Sequence, residues 1–406
     1  MNLTVVAMEF PLPPIHGGRA DIWRRIVALS NLGVKIQLIC WAPELPSEDE
    51  SNTVNQYVEN FYPIVYEKGP YALFRRGLDL LRYPLQVTSR VVRGGQWDNL
   101  LRSVKEFSPD IILGDHLHCG LLARKISETL DVPFVLRSHN IEHIHYSHWL
   151  ESARGMGKLK LMVTLLHLKS YEFSTLKNCL AFYDISIDDL KFWQQQGFNH
   201  GKFMPALIDL TSHEKSQSGE EDDIVPSYDI VFLGNLRTEN NVEGVLWFLE
   251  KVLPLLQKQL PDIKVLIAGS NPIQDIIDTC NACKGVTMKA NPISARDTYR
   301  SGKVLINPVL KGSGTSIKSI DMFTLQRPIV TLEKGVFGLP AEARQYFKIA
   351  ADEESFTQLI LESLESGGAD TPNWEEVQAL FGYPIIEEFI KDLEAIAQSS
   401  AVAQPA

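Results

Sequence analysis

The chain has 406 residues, too many for one ordinary hydrophobic core, so two or more domains are expected. Its 45% apolar and 22% charged residues are those of a soluble globular protein. A formal net charge of −11 excludes a general nucleic-acid binder, and the apolar runs are too short to span a bilayer.

Residues 3–8 read as a first buried strand rather than a signal peptide, because they carry no basic region and no small-residue cleavage site. A loop with Pro11, Pro13 and Pro14 ends in Gly17-Gly18, and a helix over 19–32 is stopped by Gly33. Residues 34–40 form the next strand. This βαβ start lacks the Gly-x-Gly-x-x-Gly spacing of dinucleotide binders, which counts against an NAD-linked oxidoreductase. Cys40, Cys119, Cys179, Cys280 and Cys283 make an odd, scattered set and predict a reducing cytoplasm; the lone Cys280-x-x-Cys283 has no second ligand pair and reads as structural.

Residues 71–105 are locally basic. Arg75, Arg76, Arg82, Arg90, Arg93, Arg102 and Lys105 face only Asp79 and Asp98, with Tyr71, Phe74, Leu80, Leu81 and Tyr83 interleaved. The pattern suits peripheral docking on the inner face of an anionic membrane, or holding a lipid-phosphate acceptor. A solvated helix face explains it as well.

A strand over 109–113 precedes Asp115-His116-Leu117-His118, and a strand over 132–136 precedes Arg137-Ser138-His139-Asn140-Ile141-Glu142. In an open α/β sheet ligands sit outside the carboxyl ends of strands, so both clusters are placed to converge. A satisfied surface histidine is the alternative for each taken singly. No metal is expected, since there is no His-x-x-x-His helix, no Asp-x-Asp loop, and no third ligand beside His143 and His145. A long helix is predicted over 158–178, with Glu172 near its end. A strand over 182–187 follows, and Asp188-Asp189 opens another helix.

The stretch 211–227 is an acidic linker. After it come a strand over 230–233, the turn Gly234-Asn235-Leu236-Arg237, and a helix over 242–256 capped by Asn240 or Asn241. A strand over 263–268, a helix over 272–282, a strand over 286–289 and a Ser294-capped helix continue the alternation that implies a parallel sheet. A strand over 304–306 then leads through Pro308 and the loop Gly312-Ser313-Gly314-Thr315 into a helix, and 329–332 is the next strand. Free N–H groups at the helix start favour an anion, and Gly312 and Gly314 admit a phosphate close to the backbone. Lys318 adds a positive charge, and Asp321 is placed to accept hydrogen bonds from sugar hydroxyls. Glycines that only satisfy turn geometry are the bland alternative. Residues 374–397 are helical.

From 228 to 340 the order of strand, Gly-Ser-Gly-Thr loop, Lys318-bearing helix, Arg327-Pro328-Ile329-Val330 strand and Gly338-Leu339 turn resembles the family-four retaining glycosyltransferases of the GT-B fold; over 1–210 the resemblance is looser. It implies two Rossmann-like, doubly wound α/β domains facing across a cleft. These are an acceptor-side domain over 1–210, a nucleotide-sugar domain over 228–373, and helices over 374–397 that cross back. It also implies a nucleoside-diphosphate sugar as donor, with no separate cofactor, and a glycan or lipid-linked acceptor. Asp321 would hold the ribose, while Ser313 stands where many members carry a carboxylate against the donor sugar. Gly17-Gly18 would lie by the donor diphosphate, and His116, His139 and Glu142 would line the opposing wall. Beyond Gly234, Asn235 and Asn240 occupy the places of the family's phosphate-gripping arginine and lysine, with Arg237 near enough to substitute. Gln326 stands where a glycine commonly ends the helix. The expected activity is hexosyl transfer in polysaccharide biosynthesis. A non-catalytic, glycosyltransferase-like binding protein and a sugar-nucleotide epimerase are the rivals.

Overall fold

The computed structural model describes residues 1–14, 16–210, 224–311, 314–366 and 371–402. Gly312, Ser313 and most of the acidic linker, 211–223, lie outside them.

In the first unit β1 (Asn2–Ala7), β2 (Lys35–Ala42), β3 (Asn60–Val65), β4 (Ile111–Asp115), β5 (Phe134–Ser138), β6 (Phe182–Asp184) and β7 (Gly201–Phe203) make one parallel sheet in the order β3-β2-β1-β4-β5-β6-β7. Helices cover both faces, so the central strands are buried throughout; even Thr4 is inside, its hydroxyl donating to Gln37 Oε1 at 2.9 Å. The second unit repeats the plan with β8 (Tyr228–Asn235), β9 (Val265–Ser270), β10 (Val286–Ala290), β11 (Gly302–Asn307), β12 (Ile329–Leu332) and β13 (Phe347–Ala350), ordered β10-β9-β8-β11-β12-β13. Two doubly wound, Rossmann-like units of this kind make the GT-B architecture. In each sheet the winding reverses once, between β1 and β4 and between β8 and β11, so each unit has a crevice at the carboxyl ends of that central pair.

The units divide at different points from those expected. The first takes Met1–Pro14, Gly18–Pro205 and the chain from Ile385 onward; the second takes the residues between Pro14 and Gly18, and Ala206–Pro384. Residues 206–210 go with the second unit, where Ile208 N–H donates to Phe381 O at 3.1 Å. The helix Trp374–Phe381 stays there too, because Phe381 packs edge-on against Phe323 at 5.5 Å. Only the helix Tyr383–Val402 returns to the first unit, held by Phe389 against Tyr183 and by Asp392 on Lys202 at 2.6 Å.

Other boundaries shift for local reasons. The helix expected over 158–178 is two, Gly155–Leu165 and Leu168–Asn178, parted where His167 takes φ 61°. The helix expected from 242 starts at Glu239 behind Thr238, not behind Asn240 or Asn241, and passes through a π-helical turn, Phe248–Val252, just before Pro254. The wider turn accommodates a residue that has no N–H to donate.

Gln326, exposed and just past the helix Ile317–Phe323, sits at φ 50°. A left-handed L-residue costs more than glycine's extra chain entropy, so Gln326→Gly is expected to add about 0.5–1 kcal/mol. That corresponds to about 2 °C in thermal unfolding of a unit this size. An unchanged or lowered midpoint would refute it.

Candidate functional site

In the first unit, the ends of β4 and β5 carry a nearly dry cluster of charge. Arg25, on the helix Gly17–Asn31, donates to Asp21 Oδ2 at 2.7 Å and also to Asp115. Arg137 reaches Asp21 Oδ1 at 3.4 Å and donates to the carbonyls of Met204 and Pro205. His139 Nε2 lies 3.1 Å from Asp115 Oδ1. Asp21, Arg25, Asp115 and Arg137 are each no more than 2% exposed. Burial alone would raise both carboxyls, but Arg25 and its neighbours outweigh it and hold Asp21 and Asp115 below the usual carboxylate range. Burial lowers His139, so the imidazole stays neutral and donates.

His116 follows β4 at φ 97°, far from where a side chain is comfortable. Such strain persists only when the surroundings over-determine it, and it gathers at functional sites. The N–H of His118 points at His116 Nδ1, 3.3 Å away, which fixes that nitrogen as the acceptor. The proton therefore sits on Nε2, 3.4 Å from Glu142 Oε1. His139 stacks near the same ring, with centroids 5.2 Å apart. His116, His139 and Glu142 are thus brought together, and His118 joins them with Nε2 3.9 Å from Glu142 Oε2. Burial would raise Glu142, but the hydrogen bond from His116 and the imidazoles around it hold it well below its ordinary value.

Glu142 is placed by Glu172. That side chain, on the helix Leu168–Asn178, accepts from the N–H groups of Glu142 at 2.8 Å and His143 at 3.2 Å and also binds the His143 ring. It is 2% exposed and serves as the N-terminal acid of a neighbouring helix. A carboxylate held anionic beside imidazole N–H groups can accept one hydrogen bond while its neighbours donate another.

In the second unit, the ends of β8 and β11 approach closely. A Cβ on Gly244 would fall 2.4 Å from Pro308 O, so only glycine lets the helix Glu239–Trp247 lie against the β11 loop. Asn235 Oδ1 accepts from Arg237 N at 3.0 Å, closing an Asx turn after Gly234. Asn241 Nδ2 donates to Asn235 O at 2.9 Å, and its Oδ1 accepts from Lys318 Nζ at 2.5 Å. Lys318 also lies over the Phe232 ring, 4.8 Å from its centroid. Its partner is a neutral amide, and among the described residues no carboxylate pairs with it. Burial pushes the ammonium down to about 7.

The Lys318 helix is anchored from below. Asn307, fully buried at the end of β11, donates to Ser316 Oγ at 3.2 Å and Ser319 Oγ at 2.9 Å. Ser319 in turn donates to Gly335 O at 2.6 Å, and a Cβ on Gly335 would collide with Thr331 Oγ1. Gly314 adopts φ 71°, and Thr315 and Asp321 are half-buried. The side chain of Arg237 is exposed and makes no hydrogen bond among the described residues. Gly17 opens the first helix, with Gly18 next to it. Among the described residues no group of three or more His, Cys, Asp or Glu is placed to hold a metal, and no helix is long and apolar enough to cross a membrane.

Sequence reasoning missed Asp21, Arg25, Gly244 and Asn307 as site-building residues. The four-residue spacing of Asp21 and Arg25 was visible but is equally the mark of a solvated helix pair.

Residues 227–366 match the family model described as Glycosyl transferases group 1. Over 375 residues the chain is 28% identical to an uncharacterized 44.6 kDa protein in the cps region of Klebsiella pneumoniae, covering 89% of this chain and 90% of that one. Among solved structures it is similar to sucrose-phosphate synthase from Thermosynechococcus elongatus, with TM-score 0.64, 14% identity, and 99% and 100% of the two chains covered. It is also similar to Anabaena HepE in complex with UDP, with TM-score 0.58, 10% identity, and 97% and 100% covered. The match of the second unit to glycosyl transferases group 1, on a fold that glycosyltransferases share, supports glycosyl transfer and a place in the glycosyltransferase superfamily.

Proposed function

We propose that the protein is a retaining, family-four-like hexosyltransferase that moves a sugar from a nucleoside-diphosphate sugar to a hydroxyl of a glycan or lipid-linked acceptor. One observation carries the reading: a half-buried lysine with no acidic partner among the described residues stands at the switch point of the second sheet, held there by Asn241. A cation desolvated in this way awaits an anion, and the crevice at the ends of β8 and β11 is where a doubly wound sheet takes its ligand. The UDP bound by HepE on the same fold accords with a nucleotide there. The relative in the cps region suggests polysaccharide biosynthesis.

The leaving diphosphate gains charge as the glycosidic bond breaks, so groups aimed at that charge lower the barrier most. Lys318, the amides of Gly314 and Thr315, and Arg237 take this role. Asp321 anchors the ribose, and His116, His139 and Glu142 bind sugar hydroxyls. No metal is required by this reading.

The test is a thermal-shift screen of nucleoside diphosphates, followed by transfer assays with labelled nucleotide sugars. The matching diphosphate at 100 times its Kd should stabilise the second unit by about 2.7 kcal/mol. If no nucleoside diphosphate shifts the midpoint, the reading fails. Binding without turnover across a broad donor panel would favour a binding protein, a rival motivated by Asn235 and Asn240. Isomerised donor without acceptor would indicate an epimerase.

A further inference from the structure

We propose that the first unit docks on an anionic bilayer through two helices that wear their apolar faces outward. The helix Pro70–Asp79 buries Ala72 and Asp79, and turns Tyr71, Phe74 and Leu78 to solvent, with Leu81 continuing the line at i, i+3, i+7 and i+10. Tyr71 is 72% exposed and Leu81 79%. The inward Asp79 is tied to Arg93, so the polar side of this helix faces the protein. The helix Gly155–Leu165 repeats the inversion: Met156, Leu159, Met162 and, just past its end, Leu166 are exposed along one line, Met156 by 80%. The short turn Leu85–Thr88 packs against both helices.

A surface helix that turns an apolar stripe to solvent has a face that something else covers. Charge selects the occupant. Between Ser152 and Tyr171 the chain carries Arg154, Lys158, Lys160 and Lys169 and no acid, within a protein of net charge −11. Lysine is depleted in the cores of protein–protein interfaces, whereas lysine flanking an apolar stripe is what anionic lipid attracts. Beside the first helix a cavity of about 430 Å³ is lined by Glu67, Lys68, Leu73, Arg76 and Ser89, and Glu67 is paired with Arg75 at 2.8 Å. It is placed to receive a phosphate headgroup.

Flotation with vesicles tests this. The full chain should float with vesicles of phosphatidylcholine and phosphatidylglycerol, float much less with phosphatidylcholine alone, and lose binding as salt is added. Lys158→Gln with Lys160→Gln should weaken binding to the anionic vesicles about thirtyfold. Leu159→Ser with Met162→Ser should weaken it about tenfold or more, with the melting midpoint unchanged because both side chains are exposed. The proposal is overturned if the wild type stays out of anionic vesicles, if it binds neutral ones equally, or if both variants float as the wild type does. It is also overturned if the chain is a dimer that the serine variant dissociates, for then a second copy covers the stripes.

Discussion

Asp21→Asn is expected to destabilise the first unit by about 3–5 kcal/mol, a large share of a domain's stability. The side chain keeps its shape and loses only its charge. Asp21 lies between Arg25 at 2.7 Å and Arg137 at 3.4 Å, and all of them are shut away from water. With Asp115 the cluster balances its guanidinium and carboxylate charges; without Asp21 one buried cation is left uncompensated. The penalty is that of stranding a charge, so it exceeds what the pair contributes over an apolar replacement. Its pH dependence has a definite sign. Asp21 is held below the usual carboxylate range in the folded protein, so its contribution is complete above the unfolded value of about 4 and is lost as pH falls further. Denaturant titrations of wild type and variant should therefore differ by a constant amount near neutrality and draw together in acid. A difference below about 1 kcal/mol at pH 7, the scale of an exposed pair, would mean that the cluster is hydrated.

The strands were legible because each one in the middle of a sheet is a short apolar run bounded by turn residues. Residues 329–332 are the plainest case, and the structure places Ile329–Leu332 there as β12. Short edge strands such as Gly201–Phe203 carry no such run, and neither that strand nor Asn60–Val65 was foreseen. The polar clusters after β4 and β5 could be read because a chain that leaves a buried strand must turn at its carboxyl end. What turned them into a site could not be read. Glu172 and Asp21 are acids on helices, and periodicity alone puts such residues in solvent; burial becomes visible only when the partners, Glu142 N–H and Arg25 with Arg137, have been brought up from distant segments. The break at His167 was hidden for a similar reason, since leucines continue on both sides of it. Lys318 was picked out by its place after the glycine loop, but the Asn241 amide that holds it had been read only as a cap.

Lys318→Ala is expected to weaken nucleoside-diphosphate binding by about ten- to a hundredfold, the scale of a lost charge-assisted hydrogen bond. The larger signature lies in pH. In the free protein burial pushes Lys318 down to about 7, and the Asn241 amide accepts its hydrogen bond. A bound diphosphate favours the charged ammonium, so the value in the complex rises. Binding then takes up a proton whenever the pH lies between the two values. Wild-type affinity should be insensitive to this lysine below pH 7 and should fall by up to tenfold for each unit above it, about a hundredfold by pH 9 if the complex titrates higher still. The terminal phosphate group titrates near 6, so it is fully charged across this window and does not mimic the effect. Calorimetry in buffers of different ionisation enthalpy at pH 8 should register close to one proton taken up by the wild type and much less by Lys318→Ala. Asn241→Leu removes the amide and leaves the lysine; it should lower the free value further and move the fall in affinity to lower pH. A wild-type affinity that stays level from pH 7 to 9, together with an alanine variant that binds as tightly, would remove Lys318 from the nucleotide site, and the crevice between β8 and β11 would need a different occupant.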